Sequence, residues 1–165
     1  FGLIWQTMGN QDIHWSEEHV VAGRKFLNKI WNASRFVLQQ IEISNPKFQI
    51  SNQIQISHSQ KLSETDKQII TSLEILKKKV NNHLNNYEFG HALHELYDFF
   101  WHSYCDVYLE EAKKSESEES EKILLYVLSD SLKLLHPFIP HITEHIWGIL
   151  PHEDKIFLII EEWPE

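Results

Sequence analysis

Ser16-Glu17-Glu18-His19-Val20-Val21-Ala22-Gly23-Arg24-Lys25-Phe26-Leu27-Asn28-Lys29-Ile30-Trp31-Asn32-Ala33-Ser34-Arg35-Phe36-Val37, continuing to Ile41, is the stretch from which the fold can be read. Ser16 suits an N-cap, and Glu17 and Glu18 put negative charge in the first turn, where the peptide dipoles of a helix favour it. On a helical period, Phe26, Leu27, Ile30, Ala33, Ser34, Val37 and Ile41 fall within an arc of about 120°. Arg24, Asn28, Trp31, Asn32 and Arg35 fall within about 100° on the far side. Such a helix packs one face and offers cations, amides and an indole on the other. Arg24 and Arg35 are the two arginines of the whole sequence. They lie three turns apart, nearly in register, roughly 16 Å along the axis.

Outward from this helix the chain reads as further helices. Phe1-Gly2-Leu3-Ile4-Trp5 opens inside an apolar run, as expected of a piece of a longer polypeptide, and residues 10–15 link it to the first helix. Residues 42–62 are rich in Ser, Asn and Gln and contain Pro46. They read as an irregular surface insertion, with weak alternation at 48–56 leaving a short hairpin open. A second helix is expected from Ser63 or Thr65, with Ile69, Leu73, Leu76, Val80 and Leu84 as its seam. A third, from about Gly90, should bury Leu93, Leu96, Phe100, Tyr104, Val107 and Tyr108. Residues 113–121 read as a polar junction, a solvated connection or a frayed helix end. A fourth helix covers 123–135 and is broken by the prolines of His136-Pro137-Phe138-Ile139-Pro140, which cannot continue the hydrogen-bond ladder. Pro140 fits the first turn of a fifth helix ending near Leu150, and residues 156–160 form a short extended tail. The fold class is all-α, an antiparallel bundle of about five helices. The expected divisions are 1–15 as a joining segment, 16–150 as the helical domain and 151–165 as a tail.

Composition bounds the function. A chain of 165 residues with 42% hydrophobic and 24% charged residues is one globular domain with a proper core. No apolar run reaches membrane-spanning length, and the single cysteine, Cys105, allows no internal disulfide and fits a reducing, cytoplasmic setting. The formal net charge of −9 argues against nucleic-acid binding when read globally. Net charge, however, sets solubility and long-range steering rather than what one face can do.

Gly9-Asn10-Gln11-Asp12-Ile13 followed by Ser16-Glu17-Glu18 and the run from Gly23 to Phe36 resembles the junction and first anticodon-domain helix of valyl-tRNA synthetases, class I aminoacyl-tRNA synthetases. Further matches follow in order: Asp66-Lys67, Tyr87-Glu88-Phe89-Gly90 with Ala92-Leu93, and Leu96-Tyr97-Asp98-Phe99-Phe100-Trp101. Tyr104-Cys105-Asp106 with Tyr108-Leu109-Glu110 comes next, then His136 to Pro140 with Thr143-Glu144 and Ile146-Trp147, then Trp163-Pro164. The shared order covers nearly all of the chain except 42–62. The Gly-x-Gln-Asp-Ile junction favours the valyl over the related isoleucyl family, which stays the alternative. The class I ATP-binding signatures and the terminal coiled-coil arm are absent, and Val107 stands where the family often has Trp.

The resemblance implies an anticodon-binding piece of a valine–tRNA ligase, monomeric, partnered by the tRNA for valine and by the catalytic domain of the same polypeptide. ATP and magnesium would belong to that parent enzyme, and neither catalysis nor a cofactor is expected of this piece. Anticodon loops are single-stranded RNA, read by stacking bases on aromatic or guanidinium planes and by bonding their edges, with Lys and Arg on phosphates. Arg24, Lys25, Asn28, Lys29, Trp31, Asn32 and Arg35 supply those groups. A helical protein-interaction module, with the same helix face merely solvated and Trp31 packed on a neighbour, is the competing reading. His141-Ile142-Thr143-Glu144-His145 fits a His-x-x-Glu-His zinc-peptidase pattern, but that chemistry needs a third ligand and a larger scaffold. The stripe His91, His94, Asp98 and His102 reads as a solvated face, and Cys105 as a buried core thiol.

Overall fold

The computed structural model describes residues 1–7, 15–44, 62–114, 117–151 and 157–165, with backbone alone at 42–44. Every regular element among these residues is helical. Helix α1 spans Glu17–Ser44, α2 Glu64–Asn85 and α3 Phe89–Asp98. A π-helical stretch, Phe99–Tyr108, and the short α4, Leu109–Ala112, continue α3 as one rod. Helices α5, Glu118–Leu135, and α6, Pro140–Trp147, complete an antiparallel bundle of five rods.

The helix starts follow local chemistry. Ser63 caps α2 by accepting from the Asp66 N–H at 3.1 Å, while Asp66 accepts from the Ser63 N–H at 3.0 Å, a reciprocal capping box. Ser117 caps α5 in one direction only, its hydroxyl accepting from the Ser120 N–H at 3.1 Å, and Glu118, Glu119 and Glu121 fill its first turn. The solvated connection or frayed helix end expected over 113–121 is therefore helix from Glu118 onward. Its acids serve the dipole of a helix start rather than a solvated link. Helix α1 runs three residues past Ile41 into the expected insertion, and the hairpin considered at 48–56 lies outside the described residues. Pro140 occupies the first turn of α6, where its missing N–H costs nothing.

Two further expectations fail. The tail carries a 3-10 turn, Leu158–Ile160, instead of a continuous extended run, because the Leu158 N–H is held by the Glu144 carboxylate at 3.0 Å. The third rod does not bury Val107, which is 56% exposed. An i→i+5 ladder brings residues five apart toward one side, so Phe99, Phe100, Tyr104, Cys105, Tyr108 and Leu109 are buried and Val107 turns outward. Burial of Cys105 pushes its thiol up to about 12, which leaves it an inert core group as expected.

Buried polar groups tie the rods together. The Asp66 carboxylate, at the start of α2, accepts from the Tyr108 hydroxyl at 2.7 Å and from the Ser120 hydroxyl at 3.3 Å. Lys77 on α2 is 2.8 Å from Asp130 of α5 and 2.8 Å from Glu74, and donates to the Tyr126 hydroxyl at 3.0 Å. Burial works against its ammonium, but these oxygens outweigh that and raise its pKa. A buried charge lacking such partners would cost several kcal/mol, on the order of the penalty for breaking an internal ion pair.

Both chain ends are built into the bundle. Phe1 packs on Phe26, and Trp5 stacks on His94 with ring centroids 3.7 Å apart. Trp163 donates its indole N–H to Asn81 at 2.6 Å. The opening segment explains Gly90: a Cβ there would meet the Thr7 carbonyl oxygen at 2.3 Å. Three residues earlier, Tyr87 closes α2 at φ +60°, a left-handed conformation that suits glycine. Urea unfolding of two variants therefore shifts in opposite directions. Gly90→Ala loses about 1–3 kcal/mol through forced displacement of the opening segment, and Tyr87→Gly gains about 1 kcal/mol by relieving the left-handed strain.

Candidate nucleic-acid interface

The packing of α1 decides what it can present. Phe26, Ile30, Ala33, Ser34, Val37 and Ile41 are buried, and Leu27 is half-buried against the core. Ser34 survives there because its hydroxyl donates to the Ile30 carbonyl one turn back, at 2.9 Å. With that arc fixed inward, Arg24, Lys25, Asn28, Asn32 and Arg35 are all exposed. No described residue forms an ion pair with either guanidinium. An open cleft lined by Asn32, Arg35, Phe36, Leu38 and Gln39 lies at the distal end. At the other end, Glu17 and Glu18 stand two turns before Arg24 and Lys25, so the cationic part of the strip begins at Arg24.

The remaining two candidates mark the edges. Lys29 turns toward the π segment, where its ammonium is 2.8 Å from Asp106 and 5.2 Å from the Trp101 ring centroid. Trp101 and Asp106 are five residues apart, the interval that π winding brings to one side. An α-helical rod would separate them by about 140°. Partial burial works against the Lys29 charge, but the bond and charge of Asp106 raise its pKa, and the same lysine holds the Asp106 carboxyl below the usual range. On the opposite edge Trp31 is half-buried and stacks on His145 of α6, with centroids 5.5 Å apart and planes 26° from parallel. The structure thus gathers Arg24, Lys25, Asn28, Asn32 and Arg35 into one open strip, with Lys29 and Trp31 as its packed borders.

Trp101, Asp106 and His145 escaped the sequence reading. The five-residue spacing is invisible unless the π winding is known, and His145 is prominent only through the zinc-like pattern. That pattern has another use here: Glu144 holds the Leu158 N–H, His145 stacks on Trp31, and His141 is exposed. Among the described residues no cluster suits a metal ion. The histidine stripe of α3 is not simply solvated either. His94 lies between Trp5 and the bundle with its Nε2 3.0 Å from the Trp5 carbonyl oxygen, and His91 stacks on His83.

The family model of the anticodon-binding domain of tRNA ligase matches residues 66–165. Over 168 residues the chain is 37% identical to the valine–tRNA ligase of Mesoplasma florum, covering 99% of this chain and 19% of that protein. It is 41% identical over 171 residues to the valine–tRNA ligase of Bacillus thuringiensis, covering 99% and 18%. With that of Aquifex aeolicus it shares 36% over 183 residues, covering 100% and 15%. The chain spans less than a fifth of the length of these curated relatives. A crystallised ternary complex of an Agrobacterium radiobacter LeuRS with tRNA and LeuAMS contains the same fold, with TM-score 0.76 and 23% identity over 99% of this chain and 18% of that one.

The Lys29–Asp106 border is an exposed pair, so its worth is modest. A double-mutant cycle with Lys29→Met and Asp106→Asn gives a coupling of about 0.2–1 kcal/mol near neutral pH. A depressed carboxyl contributes above its unfolded value and loses that contribution as pH falls through its folded value. A raised ammonium contributes below its unfolded value and loses it as pH rises through its folded one. The coupling therefore persists between the two, disappears in strong acid, and disappears again only well above pH 10 or so. Stability measurements across pH check this.

Proposed function

The chain belongs to the anticodon-binding domain family of tRNA ligases, and from that premise we propose that its α1 strip grips the anticodon stem-loop of the tRNA for valine. The observation that carries this reading is the strip itself. Both arginines of a chain with net charge −9 stand on one exposed helix face with Asn28 and Asn32 between them. Guanidinium groups bind phosphates or stack on bases, and amides both donate to and accept from base edges. Lys25 beside them suits a phosphate. Lys29, engaged by Asp106, acts as a brace that keeps its carboxylate neutralised near the RNA. The net negative charge elsewhere confines RNA to this strip by repelling it from other faces.

Residues 16–150 form the anticodon-binding unit in this reading, and the chain is one part of a cytoplasmic valine–tRNA ligase. The catalytic portion of that polypeptide would use ATP and magnesium. Valine–tRNA ligase relatives at 37–41% identity support the valyl assignment over the isoleucyl one. Contact with the catalytic portion suits the exposed apolar side chains of the tail, Phe157, Ile159 and Ile160, which are 68%, 73% and 70% exposed. Exposed apolar residues grouped in this way commonly mark an interaction surface.

Replacing both Arg24 and Arg35 by Ala tests the reading without touching the core. The variant keeps its helicity, and its Kd for valine-accepting tRNA rises by at least about tenfold at low salt. The slope of log affinity against log salt falls by about 0.7 for each lost phosphate contact on single-stranded RNA. An anticodon-swapped tRNA binds the unmodified chain more weakly than the valine-accepting one. Unchanged affinity in the double variant removes α1 from the site.

A further inference from the structure

One aromatic surface beside the strip reaches outside the segment the sequence points to. Trp31 sits between Asn28, three residues before it, and Arg35, four residues after it, both exposed. Its indole is half-buried and counted with the core on one side, while the His145 imidazole lies nearly parallel to it at 5.5 Å. His145 is exposed. In this short column the tryptophan is the backing and the histidine is the outer ring. The other exposed imidazole of α6, His141, stands one turn earlier on the same face, whereas Thr143, Ile146 and Trp147 point into the bundle. Neither ring belongs to the segment that reads as RNA-binding from its sequence.

We infer that His145 is the stacking residue for an unpaired base of the bound RNA loop, held in place by Trp31, so that the interface spans α1 and α6 rather than α1 alone. The inference rests on the RNA reading of the strip and adds to it the ligand class, a planar nucleobase, and the group that meets it. A base laid on His145 extends the indole–imidazole column by one ring. Its sugar–phosphate would then lie beside Arg35 or Arg24, and its edge within the reach of Asn28. Stacking needs only a π-face, so this contact orders the loop while the amides read it. Trp31 is on this account a positioning residue.

The test uses the full chain and an anticodon stem-loop RNA carrying 2-aminopurine at one loop position at a time, whose emission falls when the base is stacked. His145→Ala weakens binding about tenfold and restores emission at one position, whereas His145→Phe, which keeps a ring, stays within about twofold on both readouts. His145→Gln, which keeps bulk without a π-face, takes the place of the alanine variant should that one lose its fold. A histidine that merely packs on Trp31 would leave emission quenched at every position in His145→Ala, and that result overturns the inference. The Arg24→Ala, Arg35→Ala double variant separates the two levels of failure. If it weakens binding while His145→Ala does not, only the stacking role falls; if neither matters, the RNA reading of the strip falls with it.

Discussion

Burial of Phe26, Ile30, Ala33, Ser34, Val37 and Ile41 fixes the rotation of α1 about its own axis, and everything proposed about function follows from that rotation. A helix cannot hide one arc without presenting the opposite one. Arg24, Asn28, Asn32 and Arg35 are outside because those six are inside. Leu, Ile, Val or Phe side chains removed from water each contribute on the order of 1.5–3 kcal/mol, so a turn of even one residue's angle would cost far more than any surface contact could return. The strip is thus held by the core.

Neighbouring elements trim that strip to width. On one border the π segment delivers Trp101 and Asp106 together against Lys29. On the other, α6 delivers His145 against Trp31. The π border depends on a rod aligned by buried polar ties: Asp66 joins α2 to Tyr108 of the π segment and to Ser120 of α5, and Lys77 joins α2 to Asp130 of α5. Such ties are directional where apolar packing is not, and a partner lost from any of them would leave a buried group unsatisfied. Those three rods therefore have one register, and the Lys29 border inherits it.

Much of this was legible in the sequence. The period of α1, the capping serine before α2, the proline break before α6 and the apolar seams are local signals, and they are found where expected. What escaped was non-local or rested on unusual winding. Nothing in Phe99 to Tyr108 announces an i→i+5 ladder, so Val107 was placed inside and the Trp101–Asp106 pairing went unseen. Acids at 118–121 resemble a solvated link until Ser117 is recognised as a cap. The candidate strip could be read from α1 alone, whereas His145 needed the packing of α6, because its significance is a contact across 114 residues of chain.

The composition supplies a direct way to examine the strip. Since Arg24 and Arg35 are the two arginines of the sequence, the 165-residue chain should show two arginine side-chain Nε–H resonances by NMR, each assigned by substituting one residue. Titration with a valine anticodon stem-loop should move both, in step with the amides of Asn28 and Asn32. Saturable binding with both arginine signals unmoved, and shifts confined to the α3–π–α4 rod, would contradict the account.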